Sequence, residues 1–592
     1  MTHPHPKAMW YKRLGMFLLS LSVAMYFSMS FVPKLHYAHA APSAIEARFG
    51  APFGESLRNL PPQPAVTLFG ALGRLMDAYN AQVVATYGMD EPRTAQLIAA
   101  LQGDATRYHS RFLEAHLAGA PELAAALHTY TGWMMDRTWE SFDAFERTLR
   151  DKIAQLNRAA IESQGFADGN REPQRLELFM PAVPKELRTG LWAWCVYGLG
   201  VLAGLVWLLP DVRRKPGIHH TGIYHRAAQT RKWPAWLVFT LLVCFYIVLY
   251  QLPALFAVQA ALLDPLAQAL SGGASSQWFM YGFIYTIAML TMGLRMLLKY
   301  RGNAYQQVRT GSVLFFQVVF AFLLPQILTL MQLPSADLKN MWPLDYTFFF
   351  DYRVGTMLHS GTFGLFLLGW GIALFAIGVP LLTYFYGKRW YCSWVCGCGG
   401  LAETVGDPYR HLSDKSLKAW KVERWLVHGV LLWAVAMTVA VAYTTLTGQS
   451  TWLGIDSYSL RGAYGFWIGF VFAGALGTGF YPVMGNRVWC RFGCPLAAYL
   501  GLVQRFKSRF RITTNGGQCI SCGNCSTYCE MGIDVKWYAQ RGQNIVRSSC
   551  VGCGVCSAVC PRGVLRLENG PTQGRINDNP ILIGRDEITL NI

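Results

Sequence analysis

The residues best equipped for chemistry are cysteines, and their spacing is strict. Cys519-x2-Cys522-x2-Cys525-x3-Cys529 is followed by Cys550-x2-Cys553-x2-Cys556-x3-Cys560-Pro561. This is the spacing of bacterial two-cluster ferredoxins, met twice in full. Three thiolates on one tight loop cap three irons of a cubane, and a short loop cannot reach round to supply the fourth. The distant cysteine of each run therefore ligates the other cluster. Cluster one is expected to take Cys519, Cys522, Cys525 and Cys560; cluster two takes Cys550, Cys553, Cys556 and Cys529. Gly523, Gly552, Gly554, Ser526 and Ser557 are small enough to let backbone N–H groups approach the sulfides and tune potential. Structural zinc would use two paired C-x2-C knuckles instead of triplets with a trailing cysteine. Glu530 stands where the first run would usually carry Pro, a departure expected to alter a turn or a potential more than ligation.

A second cysteine pattern repeats 98 residues apart. Gly387-Lys388-Arg389-Trp390-Tyr391-Cys392-x3-Cys396 matches Gly485-Asn486-Arg487-Val488-Trp489-Cys490-x3-Cys494. If helical, the x3 spacing puts both thiols of a pair on one face. Pro495 disfavours α-helix at Cys494, which is expected to cap a new helix instead. Cys392, Cys396, Cys490 and Cys494 together offer one further redox or metal site, with Cys398 as a fifth candidate. A third cluster, a soft metal such as Cu(I) and a reversible dithiol all suit such a set. Lys388, Arg389, Arg487 and Arg491 are expected to lower the thiol pKa values and favour thiolate. Cys195 and Cys244 have no partners in sequence and read as packing residues.

These sites need a frame, and composition names it. The chain has 592 residues, 53% of them hydrophobic, and only 15% charged. That excludes a disordered, collagenous or ordinary cytosolic protein. The net charge of +18 is uneven: residues 41–189 hold 15 Lys/Arg against 18 Asp/Glu, so the excess lies elsewhere. The basic residues flank apolar spans, which reads as membrane orientation and not nucleic-acid binding. Thirteen of the 15 cysteines follow position 390 and none lies in 41–189, which favours metal ligation over disulfides.

Residues 15–32 follow Lys7, Lys12 and Arg13, and Ala38-His39-Ala40 offers a cleavage site. The segment is either a signal peptide or a first transmembrane helix, and both put residue 41 onward outside the cytoplasm. Seven further spans are expected near 190–209, 235–257, 278–298, 312–331, 362–386, 425–445 and 466–484. Alternation then gives inner loops (211–234, 299–311, 387–424, 485–511) 22 Lys/Arg, and outer loops (258–277, 332–361, 446–465) three. The positive-inside rule makes the C-terminal part cytoplasmic and the protein a multi-pass protein of the bacterial inner membrane, in contact with lipid. Arg295 and His428 fall near inner ends, so a transporter reading lacks intramembrane charge. His359 and His428 lie nearly a membrane thickness apart and cannot share a haem.

The expected fold is mainly α: a polytopic helical membrane protein with an N-terminal helical periplasmic domain and a small α+β two-cluster ferredoxin domain. The divisions are 1–40 (signal peptide or first helix), 41–189 (periplasmic domain), 190–511 (membrane domain with both C-x3-C sites), 512–570 (ferredoxin domain) and 571–592 (tail). In the outer domain, 121–164 reads as helical, with Pro121 suited to a first turn. His109, His116, His128, Met134 and Met135 carry ligating atoms, but an ordinary bundle accounts for them. Ile545-Val546 and Val564–Leu567 read as short ferredoxin strands.

Over residues 350–570 the chain resembles the NosR/NapH-type membrane polyferredoxins: span, R-x-[WY]-C-x3-C, two spans, C-x3-C-P, a basic stretch, then two cluster motifs. The outer domain ahead of the spans looks most like the NosR/NirI branch. The resemblance implies electron transfer between quinone or a cytoplasmic donor and a periplasmic redox protein. A related branch implies copper handling in oxidase assembly, so an assembly or sensory role is the alternative. The first C-x3-C departs from the pattern, with Gly397 and Cys398 where Pro would follow. The [ST]-G-A-[ST] signature for covalent FMN is absent; Ser271-Gly272-Gly273-Ala274-Ser275 and Ser360-Gly361-Thr362 do not fit it. Flavin is therefore not expected.

Overall fold

The computed structural model describes residues 6–569 except 32–33, 38–42, 136, 168–170, 184–190, 213–232, 388, 448–450, 507, 516–517 and 546. The Ala38-His39-Ala40 string, Lys388, Val546, most of the 211–234 loop and the 571–592 tail lie outside the described residues. The architecture is mainly α, as expected of a polytopic membrane protein. Among the described residues, six helices are long and apolar enough to cross a bilayer: Cys195–Val212, Trp233–Gln251, Gln277–Lys299, Ala304–Leu330, Gly361–Tyr386 and Leu417–Thr447. Large apolar side chains such as Leu205, Leu241, Leu432 and Trp425 point outward from them, as lipid contact requires.

Two stretches differ from the sequence expectation. The 466–484 span is interrupted. It runs at π pitch over Gly465–Leu476, continues through Gly477–Gly479, and restarts at Tyr481–Met484 with Pro482 in the first turn. The expected outer loop 258–277 is instead largely helical: Pro253–Leu262 and Asp264–Ser271 meet at a 71° bend. Pro253 and Pro265 each open a helix, a start signal that the charge count overlooked. Ala257 to Leu263 are all buried there.

That bent helix pair anchors the N-terminal part. One apolar core runs from Phe53, Leu68, Leu72 and Phe179 to Val258, Ala261, Met280 and Tyr246. The N-terminal helix Pro6–Ser28 lies along Leu191–Val212 so closely that a Cβ on Gly15 would sit 2.8 Å from Trp207 Cβ. Lys12 donates to Asp211 at 2.5 Å, and Ser22 to the Val196 carbonyl at 2.9 Å.

The remaining helices of the N-terminal part have a core of their own, built on Leu97, Leu113, Leu127, Phe145 and Leu149. Helix Phe142–Gln164 starts where Ser141 Oγ accepts from the Ala144 N–H, and buries Phe145, Leu149, Ile153, Leu156 and Ala160 on one stripe. Pro121 occupies the first turn of Pro121–Thr131, as the sequence suggested, but the helical run breaks before Phe142. His109 caps its own helix by accepting from the Phe112 N–H, and His116 stacks on Phe112. Neither joins His128, whose Nε2 lies 3.3 Å from Ser110 Oγ.

At the other end, strand Phe510–Thr514 pairs antiparallel with Leu565–Asn569, and Ile545 bridges to Ile512. The first of these strands was not anticipated. This sheet packs its apolar face into the same core as Cys392, Cys396, Cys490 and Cys494.

Candidate iron–sulfur site

The two cysteine runs fold alike. Gly523 and Gly554, at φ 78° and 72°, turn the chain into one-turn helices Asn524–Thr527 and Val555–Ala558. Glycine takes this left-handed conformation without strain. The third cysteine of each run, Cys525 and Cys556, sits on that turn.

Cys529, Cys550, Cys553 and Cys556 line one pocket, with Ile512, Ile533, Val535 and Ile545 as its apolar wall. Three of the thiols come from one run and the fourth from the other. The second set is also crossed: burial pushes the Cys525 thiol up to about 12 against the pull of the Ser526 N–H, and Cys519, Cys522 and Cys560 add to the rise. Burial likewise raises Cys553 to about 12 and Cys529 to about 11. Cys556 feels Cys525 as well as its own set, so the two groups of thiols approach each other through these two residues. Cys522 is exposed, whereas Cys525 is buried. Four thiols facing one pocket are a donor set that fits a [4Fe–4S] cubane. Among the described residues, no three of His, Cys, Asp and Glu converge as ligands of a single metal ion do.

The C-x3-C pairs form a second layer against this one. Cys392, Cys396, Cys490 and Cys494 are all buried in one core, and Cys398 is half-buried beside them. Helix Trp390–Trp394 ends before Cys396, which caps the next helix, Gly397–Thr404. The expectation of one shared helix face therefore fails for this pair. Cys494 is extended, at φ −81° and ψ 115°, and precedes helix Pro495–Phe506 as Pro495 requires. The two arginines cross over. Arg389 donates to the Cys490 carbonyl at 2.8 Å, and Arg487 donates to the Cys392 carbonyl at 3.3 Å.

The expected thiolate activation by these arginines is overridden by burial. Desolvation raises Cys392, Cys490 and Cys494 against the pull of Arg389 and Arg487. Cys396 alone of the four is lowered, to about 6, chiefly because the Cys398 thiol donates to it. Arg491 is engaged elsewhere, with Glu423 at 2.8 Å and the Asp414 carbonyl at 2.7 Å. Cys195 and Cys244 are exposed on their helices and so are not packing residues.

Polar residues that the cysteine pattern did not reveal join the layers. Ser393 donates to the Val551 carbonyl at 2.7 Å, Tyr305 to Gly552 at 2.8 Å, and Gln306 to Cys553. Glu530 is 1% exposed. Its carboxylate pairs with Arg410 at 3.2 Å and Arg487 at 3.0 Å, and accepts from Asn486 at 3.1 Å. Burial would raise its pKa, but Arg410 and Arg487 hold it well below the carboxylate range. Glu403 pairs with Arg309, Arg487 and Arg410. Arg309, Arg410 and Arg487 count among the 22 Lys/Arg of the expected inner loops, yet all three are buried in ion pairs. The available signal was a pair of carboxylates, Glu403 and Asp407, following directly on a Gly-rich cysteine segment.

The model of a 4Fe-4S binding domain matches this chain twice, at 368–417 and 465–513, and a 4Fe-4S dicluster domain matches 511–561. The first model thus falls on both C-x3-C repeats. The methylamine utilization ferredoxin-type protein MauN of Paracoccus denitrificans is 29% identical over 219 residues, covering 34% of this chain and 72% of that protein. The putative electron transport protein YccM of Escherichia coli is 28% identical over 168 residues, 25% of this chain and 43% of its own. MauN of Methylobacillus flagellatus is 26% identical over 164 residues, 26% and 53% respectively. The chain thus spans about half of the latter two relatives. No solved structure matches it. With matched 4Fe–4S domains carried on a polytopic helical frame, the chain is a membrane 4Fe–4S protein of the polyferredoxin type.

Proposed function

We propose that the protein is an inner-membrane electron carrier. Cluster one is held by Cys519, Cys522, Cys525 and Cys560, and cluster two by Cys550, Cys553, Cys556 and Cys529. The C-x3-C layer of Cys392, Cys396, Cys490 and Cys494 holds a further redox group. The observation that carries this reading is the pocket shared by Cys529 and the second run's first three cysteines. When loaded, the clusters supply one-electron storage. The protein's own residues crowd the two sets of thiols together through Cys525 and Cys556, and exclude water with Ile512, Val535 and Ile545.

Cys522, being exposed, marks where a cytoplasmic one-electron carrier reaches cluster one. The basic asymmetry supports a cytoplasmic ferredoxin domain and a periplasmic bundle. The C-x3-C layer would hold its redox group between the ferredoxin domain and the outlet of the path, which is quinone or a periplasmic redox partner. The relatives' names, ferredoxin-type and electron transport, support the same reading.

The test is iron and acid-labile sulfide content with EPR on anaerobically purified full-length protein, with and without a quinol analogue. Cys522→Ser should lose one cluster and Cys529→Ser should disturb the other. Zinc without sulfide would overturn the reading, and copper without iron in the C-x3-C layer would favour the assembly role. Clusters that do not respond to quinol would remove quinone from the path.

A further inference from the structure

The buried charges around these thiols do not balance. Arg295, Lys299, Arg309, Arg410 and Arg487 are all buried, and the carboxylates among them are three: Glu403, Asp407 and Glu530. The pairs form one connected array. Asp407 meets Lys299 at 2.6 Å, Arg295 at 3.6 Å and Arg410 at 3.1 Å; Arg410 meets Glu530 at 3.2 Å, and Glu530 meets Arg487 at 3.0 Å. The array carries two more positive than negative charges in a place where charge is costly. Arg309 Nε and Arg487 Nε are buried donors without a hydrogen-bond acceptor, and Arg410 Nη2 reaches Glu403 only at 3.7 Å. Such an excess implies anions close by.

The array ends on both sites. Arg410 Nη1 lies 4.0 Å from Cys553 Sγ, a cluster-two thiol. Arg487 Nη1 lies 3.9 Å from Cys490 Sγ, in the C-x3-C layer. Both arginines share Glu530, the residue next to Cys529. A [4Fe–4S] core with four thiolates carries a charge of about −2, and one added electron brings it to about −3, with no proton or bond change. At 4 Å and low dielectric, a guanidinium stabilises the added electron strongly.

We propose that Arg410 and Arg487, bridged by Glu530, set the reduction potentials of cluster two and of the C-x3-C group, with the arginines raising them and Glu530 lowering them. They are positioning residues, since they act through the thiol ligands. The proposal rests on the electron-carrier reading, and it explains why a carboxylate replaces Pro after Cys529. A bare turn residue would leave Glu403 as the one carboxylate shared by the two arginines.

The experiment is an EPR-monitored redox titration of the anaerobic full-length protein in nanodiscs, with dithionite as the one-electron reductant. Glu530→Gln should shift the cluster-two potential upward. Arg410→Gln should shift it downward, and Arg410→Lys, which keeps the charge, should recover most of that shift. Arg487→Gln should lower the potential of the C-x3-C group more than that of cluster two. Iron and sulfide content per chain is measured on every sample. Loosened packing that admits water would move Glu530→Gln and Arg410→Gln in the same direction, so opposite signs support the charge bridge. Same-sign shifts, or no shift with full iron content, overturn it. Wild-type protein without sulfide would instead overturn the electron-carrier reading itself.

Discussion

The two C-x3-C repeats share a backbone but not a chemistry. Gly387 and Gly485 both turn the chain at positive φ, 78° and 95°. A Cβ at either would collide, at Gly387 with Phe510 and at Gly485 with Ser413. In each repeat the second cysteine donates its N–H to an aromatic residue five positions back, Cys396 to Tyr391 at 2.8 Å and Cys494 to Trp489 at 3.0 Å. Each also opens a helix, and each repeat's arginine serves the other's carbonyl. The difference begins one residue later. Gly397-Cys398 replaces Pro495-Leu496, and the added thiol makes Cys396 the acidic member of the four. Further on, Glu403 and Asp407 have Gly501 and Arg505 as their counterparts 98 residues later. The repeat therefore builds a symmetric thiol frame, and the first half alone adds the carboxylates that hold the arginines. Symmetry here belongs to the backbone, and function to what departs from it.

The most severe way to break the comparison is to remove the frame from both halves. The Cys392→Ser/Cys490→Ser double variant should keep both ferredoxin clusters by EPR and lose electron transfer to the physiological partner. Unchanged transfer would make these cysteines structural.

Next in size is the split between the two arginines. Arg487→Gln leaves Glu403 and Glu530 short of a buried partner and should cost about 3–5 kcal/mol. Arg389→Gln removes a charged hydrogen bond to a carbonyl and should cost about 1.5–3 kcal/mol. Denaturation of the two variants in one detergent compares them, and equal losses would deny the asymmetry.

A pH series sharpens the same point. Burial would raise Asp407, but Lys299, then Arg410 and Arg295, hold it at about 2. Its stabilisation is complete above the ordinary carboxylate value of about 4 and lost as pH falls through about 2. The melting-temperature gap between wild type and Asp407→Asn should therefore stay constant from pH 7 to pH 5. A gap that closes within that window would mean Asp407 is not held ionised.

The smallest effect belongs to Cys398→Ala. It removes the thiol that donates to Cys396, so the EPR line shape of the layer should change slightly while iron per chain stays the same. Loss of a whole cluster's iron would make Cys398 a ligand.

Much of this was legible in the sequence because it is local. Eight cysteines at x2, x2 and x3 spacing define two loops, and Pro495 dictates extended backbone at Cys494. Apolar runs of membrane length give the helices. The pairing of Phe510–Thr514 was missed because its partner lies more than 50 residues away. The bent helix pair was missed because a short apolar helix and an uncharged loop look alike to a charge count.

What the sequence by itself determined is the inventory: two cluster motifs, a repeated thiol frame, and the apolar lengths that carry them. These depend on spacing along the chain, which neighbours do not change. Tertiary structure decided which thiols ionise and which charges are spent. Arg487 sits three residues before Cys490 and reads as an activator, yet burial outweighs it at that thiol. Glu530 reads as a turn substitution, and becomes a buried partner of Arg410 and Arg487 because residues 120 and 43 positions away converge on it. Desolvation and Coulomb energy depend on who is near in space, and that information exists only once the chain has folded.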